Sequence, residues 1–140
     1  MNEKRPVSGH IPESYLLDTH TALWALDSPE TLSPSARKAA STGPNVLSVA
    51  SYWEVVIKSM KGTLDVGDPR LWWQEALQQL AATVLPLRPD HIAAVLNLPP
   101  IHKDPFDRVL IAQATVEGLT LVSRDAAVTG YASADLRIIR

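Results

Sequence analysis

Short apolar runs alternate with amphipathic stretches along the chain, and this alternation is the first indication of its architecture. Five runs are too short for helices and predict buried strands: "YLL" from Tyr15, "NVLS" from Asn45, "TVLPL", "LTLVS" and "LRII". Between them, Ser33 before Pro34 and Asp68 before Pro69 are typical helix starts, because a side-chain oxygen caps free amides and proline suits the first turn. Alternating strands and helices predict an α/β fold, with a mostly parallel sheet covered by helices.

Apolar residues recur at helical spacing between residues 49 and 61, and the helix stops are equally readable. The recurring positions are Val49, Trp53, Val56, Ile57 and Met60. Gly62 supplies the stop there, and Gly118 ends "DPFDRVLIAQATVEG" in the same way. "RPDHIAAVLNLPP" predicts a short helix closed by a proline pair, and "RDAAVTGY" predicts another.

Composition narrows the class of protein. A chain of 140 residues fits one domain with a core of its own, and the absence of cysteine excludes disulfides, thiol chemistry and cysteine-ligated metals. A net charge of −2 argues against a protein that coats nucleic acid by bulk electrostatics. Because we find neither a signal-peptide run nor a membrane-spanning run, we expect a soluble, cytoplasmic protein with no membrane partner.

Two acids fall at predicted strand ends. Asp18 closes the first strand, and Asp125 follows "LTLVSR". In an open parallel sheet, ligands gather outside the carboxyl ends of the strands. Each acid could equally cap the following helix, so the sequence leaves a ligand role and a capping role open for both.

The stretch "HKDPFDRVLIAQA" holds two acids three residues apart. Asp104 suits a helix cap, with Pro105 in the first helical position. Asp107 heads the face shared by Leu110, Ile111 and Ala114, and so points toward the core. An ionised carboxylate is costly there unless it is paired or bound to a cation, which favours a metal or substrate role for Asp107.

Glu54 poses the same choice. Glu54 and Lys58 form an i,i+4 pair, which is typical of a solvated salt bridge. If several acids converge from separate elements, however, their mutual repulsion calls for a divalent cation. Oxygen-only ligands suit Mg²⁺ or Mn²⁺, which position phosphate and activate water.

Histidines and tryptophans add less. The four histidines show no metal-ligand spacing and are expected to be surface or hydrogen-bonding residues. Trp72 and Trp73 are adjacent and cannot both face one side of a helix. We therefore expect one of the pair to pack against a partner chain.

Four segments in order strongly resemble the PIN-domain ribonucleases, and specifically the VapC-like toxins of bacterial type II toxin–antitoxin pairs. They are "LLDTHTALWAL", "SVASYWEVVIK", "HKDPFDRVLIAQA" and "LTLVSRDAAV". The match runs from about Tyr15 to the C-terminus. It implies a PIN domain over residues 15–140, a three-layer α/β/α fold and an acidic pocket holding Mg²⁺ or Mn²⁺. Residues 1–14 form a polar N-terminal extension outside the resemblance.

Site residues follow from the matching positions. The resemblance implies that Asp18, Asp107 and Asp125 hold metal directly or through water, and that Glu54 completes the site and helps to orient the attacking water. Asp104 is a second-tier acid because its capping explanation is good. Their neighbours in sequence Lys58, Lys103, Arg108 and Arg124 are candidates for RNA phosphate contacts.

The implied function is a metal-dependent endoribonuclease, the toxin of such a pair, with RNA as substrate. Its implied partners are a cognate antitoxin and a second copy in a homodimer. Two alternatives from other classes stay open. A Mg²⁺-dependent phosphatase on a similar fold would need a nucleophilic Asp, yet "DTH" at Asp18 lacks the second acid two residues on that dehalogenase-type phosphatases use. A non-catalytic binding module would tolerate loss of an acid, and all four are present.

Overall fold

Five short strands form a single sheet whose strands all run in the same direction. The structure is a computed structural model that describes residues 13–140. The strands are β1 (Tyr15–Leu17), β2 (Asn45–Ser48), β3 (Ala82–Leu85), β4 (Thr120–Val122) and β5 (Ile138–Ile139). Every pairing is parallel, in the order β3-β2-β1-β4-β5, and Tyr15 lies between Asn45 and Thr120. The predicted α/β fold with a mostly parallel sheet is confirmed.

Helices connect the strands and begin where the sequence signals place them. They are α1 (Thr19–Asp27), α2 (Pro34–Thr42), α3 (Val49–Met60), α4 (Pro69–Gln79), α5 (Pro89–Val95), α6 (Pro105–Glu117) and α7 (Ala126–Thr129), with a 3₁₀ turn at Pro29–Thr31. Ser33 and Asp68 cap α2 and α4 as predicted, each accepting a backbone N–H of the first turn. Gly118 ends α6 at φ 68°, a conformation that glycine adopts without a Cβ clash.

Successive strand residues point to opposite faces of the sheet, and this divides the core in two. Leu16 and Leu121 pack on one face with Leu110 and Ile111 of α6. Leu17 and Val122 pack on the other, with residues of α1, α2 and α4. Helices therefore cover both faces, and the predicted three-layer α/β/α architecture is confirmed.

The two adjacent tryptophans both find partners within the chain. Trp72 is buried in the second core, and Trp73 stacks on Tyr52 with ring centroids 4.8 Å apart. These contacts explain both tryptophans within the chain, and the packing of one of them against a partner chain stays a prediction. Trp53 is far more exposed, at 57%, and its ring meets the edge of Phe106.

The start of the described chain is held against the sheet. Ser14 accepts a hydrogen bond from the backbone of Thr120, and Glu13 pairs with Arg137 and accepts from the Thr120 hydroxyl. The rest of the predicted extension, residues 1–12, lies outside the described residues. Within residues 13–140, no helix is long and apolar enough to cross a membrane.

Candidate functional site

Two of the predicted acids meet at the centre of the sheet. From β1 the chain proceeds outward through β2 and β3, and it then returns to form β4 on the other side of β1. Such a reversal opens a crevice at the carboxyl ends of the two central strands. Asp18 follows β1 and donates its backbone N–H to Val122 of β4, while Asp125 lies just beyond β4.

Three acids cap helices, and the caps leave room for a ligand. Asp18, Asp104 and Asp125 are the N-caps of α1, α6 and α7. Each accepts backbone N–H bonds through its Oδ1: Asp18 at 2.8 Å, Asp104 at 2.9 and 3.2 Å, and Asp125 at 2.9 Å. Within residues 13–140 these caps use Oδ1 alone, so Oδ2 of each carboxylate is available. The capping and ligand roles that the sequence set against each other are therefore compatible.

Glu54 is buried in the middle of α3, and both of its carboxylate oxygens are held. Thr19 donates to Oε1 at 2.6 Å, and Lys58 lies 2.8 Å from Oε2. The hydrogen bond to Glu54 is the main cause that raises the pKa of Lys58, and the nearby charges of Asp104 and Asp107 add to it. The predicted i,i+4 pair is present, but its acid is buried at 3% exposure and does not lie on a solvated face.

Asp107 lies in the first turn of α6, where its carboxylate meets a histidine. His102 Nε2 lies 2.8 Å from Asp107 Oδ2 and 4.0 Å from Asp125 Oδ2. Burial is the largest cause that raises the pKa of Asp107, from its usual 3.8 to about 6. The charges of Asp104, Asp18 and Glu54 push it in the same direction, whereas the hydrogen bond to His102 opposes them. The charges of three other acids therefore reach the Asp107 carboxylate.

All five acids line one cavity of about 520 Å³. Its other lining residues are His20, Trp24, Lys58, His102 and Arg124. Five carboxylates against two permanent cations leave an excess of negative charge in the cavity. This charge adds to the effect of burial, the larger cause of the raised pKa of Asp107. Carboxylate oxygens predominate among the possible ligand atoms, and a hard divalent cation prefers oxygen. Ligand atoms of His102, Asp107 and Asp125 also lie within 4.8 Å of one another. The residues present therefore fit a divalent metal ion.

The four basic residues named from the sequence separate into two groups. Lys58 and Arg124 line the acidic cavity. Arg108 and Lys103 instead line an apolar cavity between α5 and α6. The Arg108 guanidinium donates through Nη1 and Nη2 to the carbonyl oxygens of Pro99, His102 and Val95 and to the Tyr131 hydroxyl, so both of these nitrogens are bonded inside the fold. The phosphate contact expected of Arg108 stays a prediction, and the contacts of its guanidinium within the fold do not support it.

Sequence reasoning misses two residues that line the cavity, His20 and His102, and one that holds an acid of the cavity, Thr19. The histidines show no metal-ligand spacing, so neither His20 nor His102 stands out in the sequence. His102 carried a weak signal, since it stands five residues before Asp107 in a proline-containing turn. Thr19 carried none, because its partner Glu54 is 35 residues away.

A second group of potential ligands has a complete structural explanation. Asp90, His91 and Glu117 also bring ligand atoms together, at the start of α5. His91 is buried, accepts the Arg88 backbone N–H and lies 2.8 Å from Glu117, while the Arg88 guanidinium pairs with both acids. His91 is therefore a hydrogen-bonding residue, as predicted for the histidines.

Comparison with known proteins identifies a family and a protein of similar sequence. Residues 15–132 match the PIN domain family. Ribonuclease VapC22 of Mycobacterium tuberculosis (strain ATCC 25618 / H37Rv) is 30% identical over 112 residues, which cover 79% of this chain and 85% of that protein.

Solved structures with the same fold include toxin–antitoxin proteins. DNA-bound VapBC from Salmonella typhimurium superposes with a TM-score of 0.63 at 16% identity, covering 91% of this chain and 97% of that one. VapBC-5 from Mycobacterium tuberculosis, a member of the VapBC family of toxin–antitoxin systems, gives 0.60 at 17% identity, covering 92% and 99%. At these identities the structures support the fold alone. The family match over most of its length, together with the 30% identity to ribonuclease VapC22, shows that this chain belongs to the PIN-domain family.

Proposed function

We propose that this chain is a divalent-metal-dependent endoribonuclease and the toxin of a type II toxin–antitoxin pair. The convergence of Asp18, Glu54, Asp107 and Asp125 in one cavity carries the proposal. A phosphodiester is an anion, and this cavity would repel it unless a cation neutralised the carboxylates. The relation to ribonuclease VapC22 supports the same class of reaction.

Each acid has a role that follows from its contacts. Asp18, Asp107 and Asp125 would hold Mg²⁺ or Mn²⁺ directly or through water, with Asp104 as a further ligand through its open Oδ2. When bound, the metal ion supplies charge neutralisation at the phosphate and an acidified water. His102 fixes the Asp107 carboxylate through Nε2. Glu54, held by Thr19 and Lys58, retains lone pairs with which to accept a hydrogen bond from the attacking water.

The reaction is hydrolysis of a phosphodiester. Water adds to phosphorus, the bond from phosphorus to the leaving ribose oxygen breaks, and that oxygen takes up a proton. Arg124 and Lys58 are the cations that line the cavity within the described chain, and we assign the contacts to phosphate to them. Lys58 would share its charge between Glu54 and the substrate.

The proposal extends to partners. Because VapBC proteins of the same fold form toxin–antitoxin systems, we propose a cognate antitoxin that binds at or near the acidic cavity. Homodimerisation belongs to the same proposal, although the tryptophan pair gives it no support. A cytoplasmic location stays a prediction.

One experiment separates this function from its alternatives. The purified, antitoxin-free chain is incubated with a pool of cellular RNAs, once with Mg²⁺ or Mn²⁺ and once with EDTA. The Asp107→Asn variant is assayed in the same way. Asp135→Asn is the matched control, because it removes an exposed acid outside the cavity. Discrete cuts that EDTA and Asp107→Asn abolish, and that Asp135→Asn preserves, support the proposal.

The alternatives predict different results in the same assay. Hydrolysis of p-nitrophenyl phosphate with intact RNA would favour the phosphatase, which the family match does not favour. A folded, metal-loaded chain that cuts no RNA and hydrolyses no phosphomonoester would favour the binding module.

A further inference from the structure

Two aromatic rings and a guanidinium form a cluster on the wall of the acidic cavity. His20 and Trp24 stand one helical turn apart on α1, with ring centroids 5.6 Å apart and tilted by 38°. The Arg124 guanidinium lies over the Trp24 ring, 5.3 Å from its centroid. All three side chains line the cavity that holds the acids. The roles assigned to the acids, and the phosphate contact assigned to Arg124, leave the two aromatic rings unexplained.

The cluster is fixed in place before any ligand arrives. Arg124 donates to the backbone oxygen of Thr31 at 2.7 Å, which holds its guanidinium over the ring. Trp24 is half-buried and packs against the second core, so its indole has little freedom. His20 and Arg124 are exposed and Trp24 also lines the cavity, so all three side chains present surface to a ligand. A ligand that stacks here loses little affinity to the ordering of side chains.

Its chemistry and position suit a nucleobase. Flat π-faces flanked by a guanidinium are what unpaired bases stack on in RNA-binding proteins. His20 is two residues from Asp18, and Arg124 is adjacent to Asp125, so the cluster borders the carboxylates. We propose that His20, Trp24 and Arg124 bind an unpaired nucleobase of the RNA beside the cleaved phosphodiester. This inference rests on the proposed ribonuclease function and deepens it, because it names the residues that bind a base next to the cleaved bond.

The charges around the cluster orient the strand. A second cavity, of about 460 Å³, continues beyond His20 and Trp24, and its lining includes Asp27, Asp65 and Glu75. Carboxylates there repel a phosphate backbone, so the backbone stays on the side of Arg124 and the base lies over the cluster. A paired base in a duplex is already stacked on its neighbours and cannot make this contact.

The test measures binding, so that it does not depend on catalysis. The probes are fluorescein-labelled oligouridylate and a ribose-phosphate oligomer of equal length without bases, titrated with the full chain in Ca²⁺ to slow hydrolysis. The test variant is Trp24→Leu, which removes the ring. Trp24→Phe keeps an aromatic ring and should retain most of the affinity. Trp73→Leu is the control, because Trp73 stacks on Tyr52 outside the cavity. Thermal melting checks that each variant is folded.

We expect Trp24→Leu to raise the Kd for oligouridylate roughly 5- to 100-fold, which is the usual range for loss of one base stack. Its Kd for the base-free oligomer should change less than about twofold, as should both Kd values of Trp73→Leu. Equal Kd values for Trp24→Leu and the unsubstituted chain overturn the inference and leave the cluster to a protein partner. Equal losses on both probes overturn it too, because the contact would then be with the backbone. Failure to cut RNA in the separate cleavage assay, with these binding differences intact, would instead remove the ribonuclease function.

Discussion

Thr19 donates a 2.6 Å hydrogen bond to Oε1 of Glu54, which ties the first residue of α1 to the middle of α3. Both side chains are buried, and Thr19 directly follows Asp18 in the chain. The orientation of Glu54 is therefore set from the same turn that places Asp18. Lys58 holds the other oxygen, so Glu54 is fixed at both ends of its carboxylate.

Replacing Thr19 by valine should uncouple these two acids. Thr19→Val keeps the shape of the side chain but leaves Oε1 of Glu54 without its buried donor, which costs about 1–3 kcal/mol of unfolding free energy. We also expect RNA cleavage to fall about tenfold or more, mainly in kcat, because Glu54 loses its fixed orientation. Denaturant unfolding and cleavage kinetics measure the two effects. Thr19→Ser retains the hydroxyl and should recover most of both, and a fully active Thr19→Val would contradict this role.

Local signals made much of the fold predictable. Asp68 and Asp104 cap helices that begin with proline, and Gly118 ends one, because these interactions involve residues close together in sequence. The three central strands β1, β2 and β4 were predictable because they are largely buried on both faces and so read as apolar runs. These features predicted a parallel sheet covered by helices before the order of its strands was known.

Contacts between distant segments were not predictable from the residues alone. Burial of Glu54 depends on α1 lying against α3, so its pairing with Lys58 read as an ordinary surface salt bridge. Arg108 is adjacent to Asp107 in sequence, yet its guanidinium donates to a turn that is organised by Tyr131, 23 residues away. It was the resemblance to a family, and not spacing, that brought the four acids together.

Removing the cation beside Glu54 should strengthen metal binding. Lys58 offsets part of the negative charge of the acids, so Lys58→Met leaves the cavity with a larger excess of negative charge. We expect the Kd for Mn²⁺ to fall a few-fold in calorimetric titration, with a larger effect at low ionic strength. Lys61→Met is the control, since Lys61 is exposed just beyond the end of α3. Weaker metal binding by Lys58→Met would show that its hold on Glu54 matters more than its charge.

Asp107→Asn should abolish cleavage and yet stabilise the metal-free chain. The folded pKa of Asp107, about 6, lies above its usual 3.8, so the folded state binds this proton more tightly than the unfolded state does. The stability that this proton contributes is present below about pH 4 and is lost as pH rises through about 6. In EDTA at pH 7.5 we therefore expect the free energy of unfolding of Asp107→Asn to exceed that of the unsubstituted chain by about 1–3 kcal/mol. Near pH 4 this difference should vanish.

The control for this comparison is again an exposed acid. In urea unfolding, Asp135→Asn should have the same free energy of unfolding as the unsubstituted chain at every pH. Added Mg²⁺ should stabilise the unsubstituted chain more than it stabilises Asp107→Asn. Parallel stability curves for Asp107→Asn and the unsubstituted chain across pH 4 to 7.5 would show that ionised Asp107 carries no penalty in the fold.

Tyr131 should matter to the site although it lies outside the cavity. Its buried hydroxyl donates to Pro99 O at 2.8 Å and accepts from the backbone N–H groups of Ile101 and His102 at 3.1 and 2.9 Å. The turn so held carries His102, whose ring fixes Asp107. Tyr131→Phe leaves these N–H groups without their acceptor, which we expect to cost about 1–3 kcal/mol of unfolding free energy. Tyr52→Phe is the matched control, because it removes a hydroxyl from a ring that stacks on Trp73.

The two tyrosine variants should then differ in more than stability. With the turn loosened, the amides of Ile101 and His102 should exchange with solvent faster in Tyr131→Phe, because local opening no longer breaks bonds to the hydroxyl. Cleavage should fall mainly in kcat, since His102 would orient Asp107 for only part of the time while substrate binding is retained. Hydrogen exchange and cleavage kinetics on both variants provide the measurement. Unchanged exchange at residues 101 and 102 would mean that the backbone of the turn holds His102 without help from Tyr131.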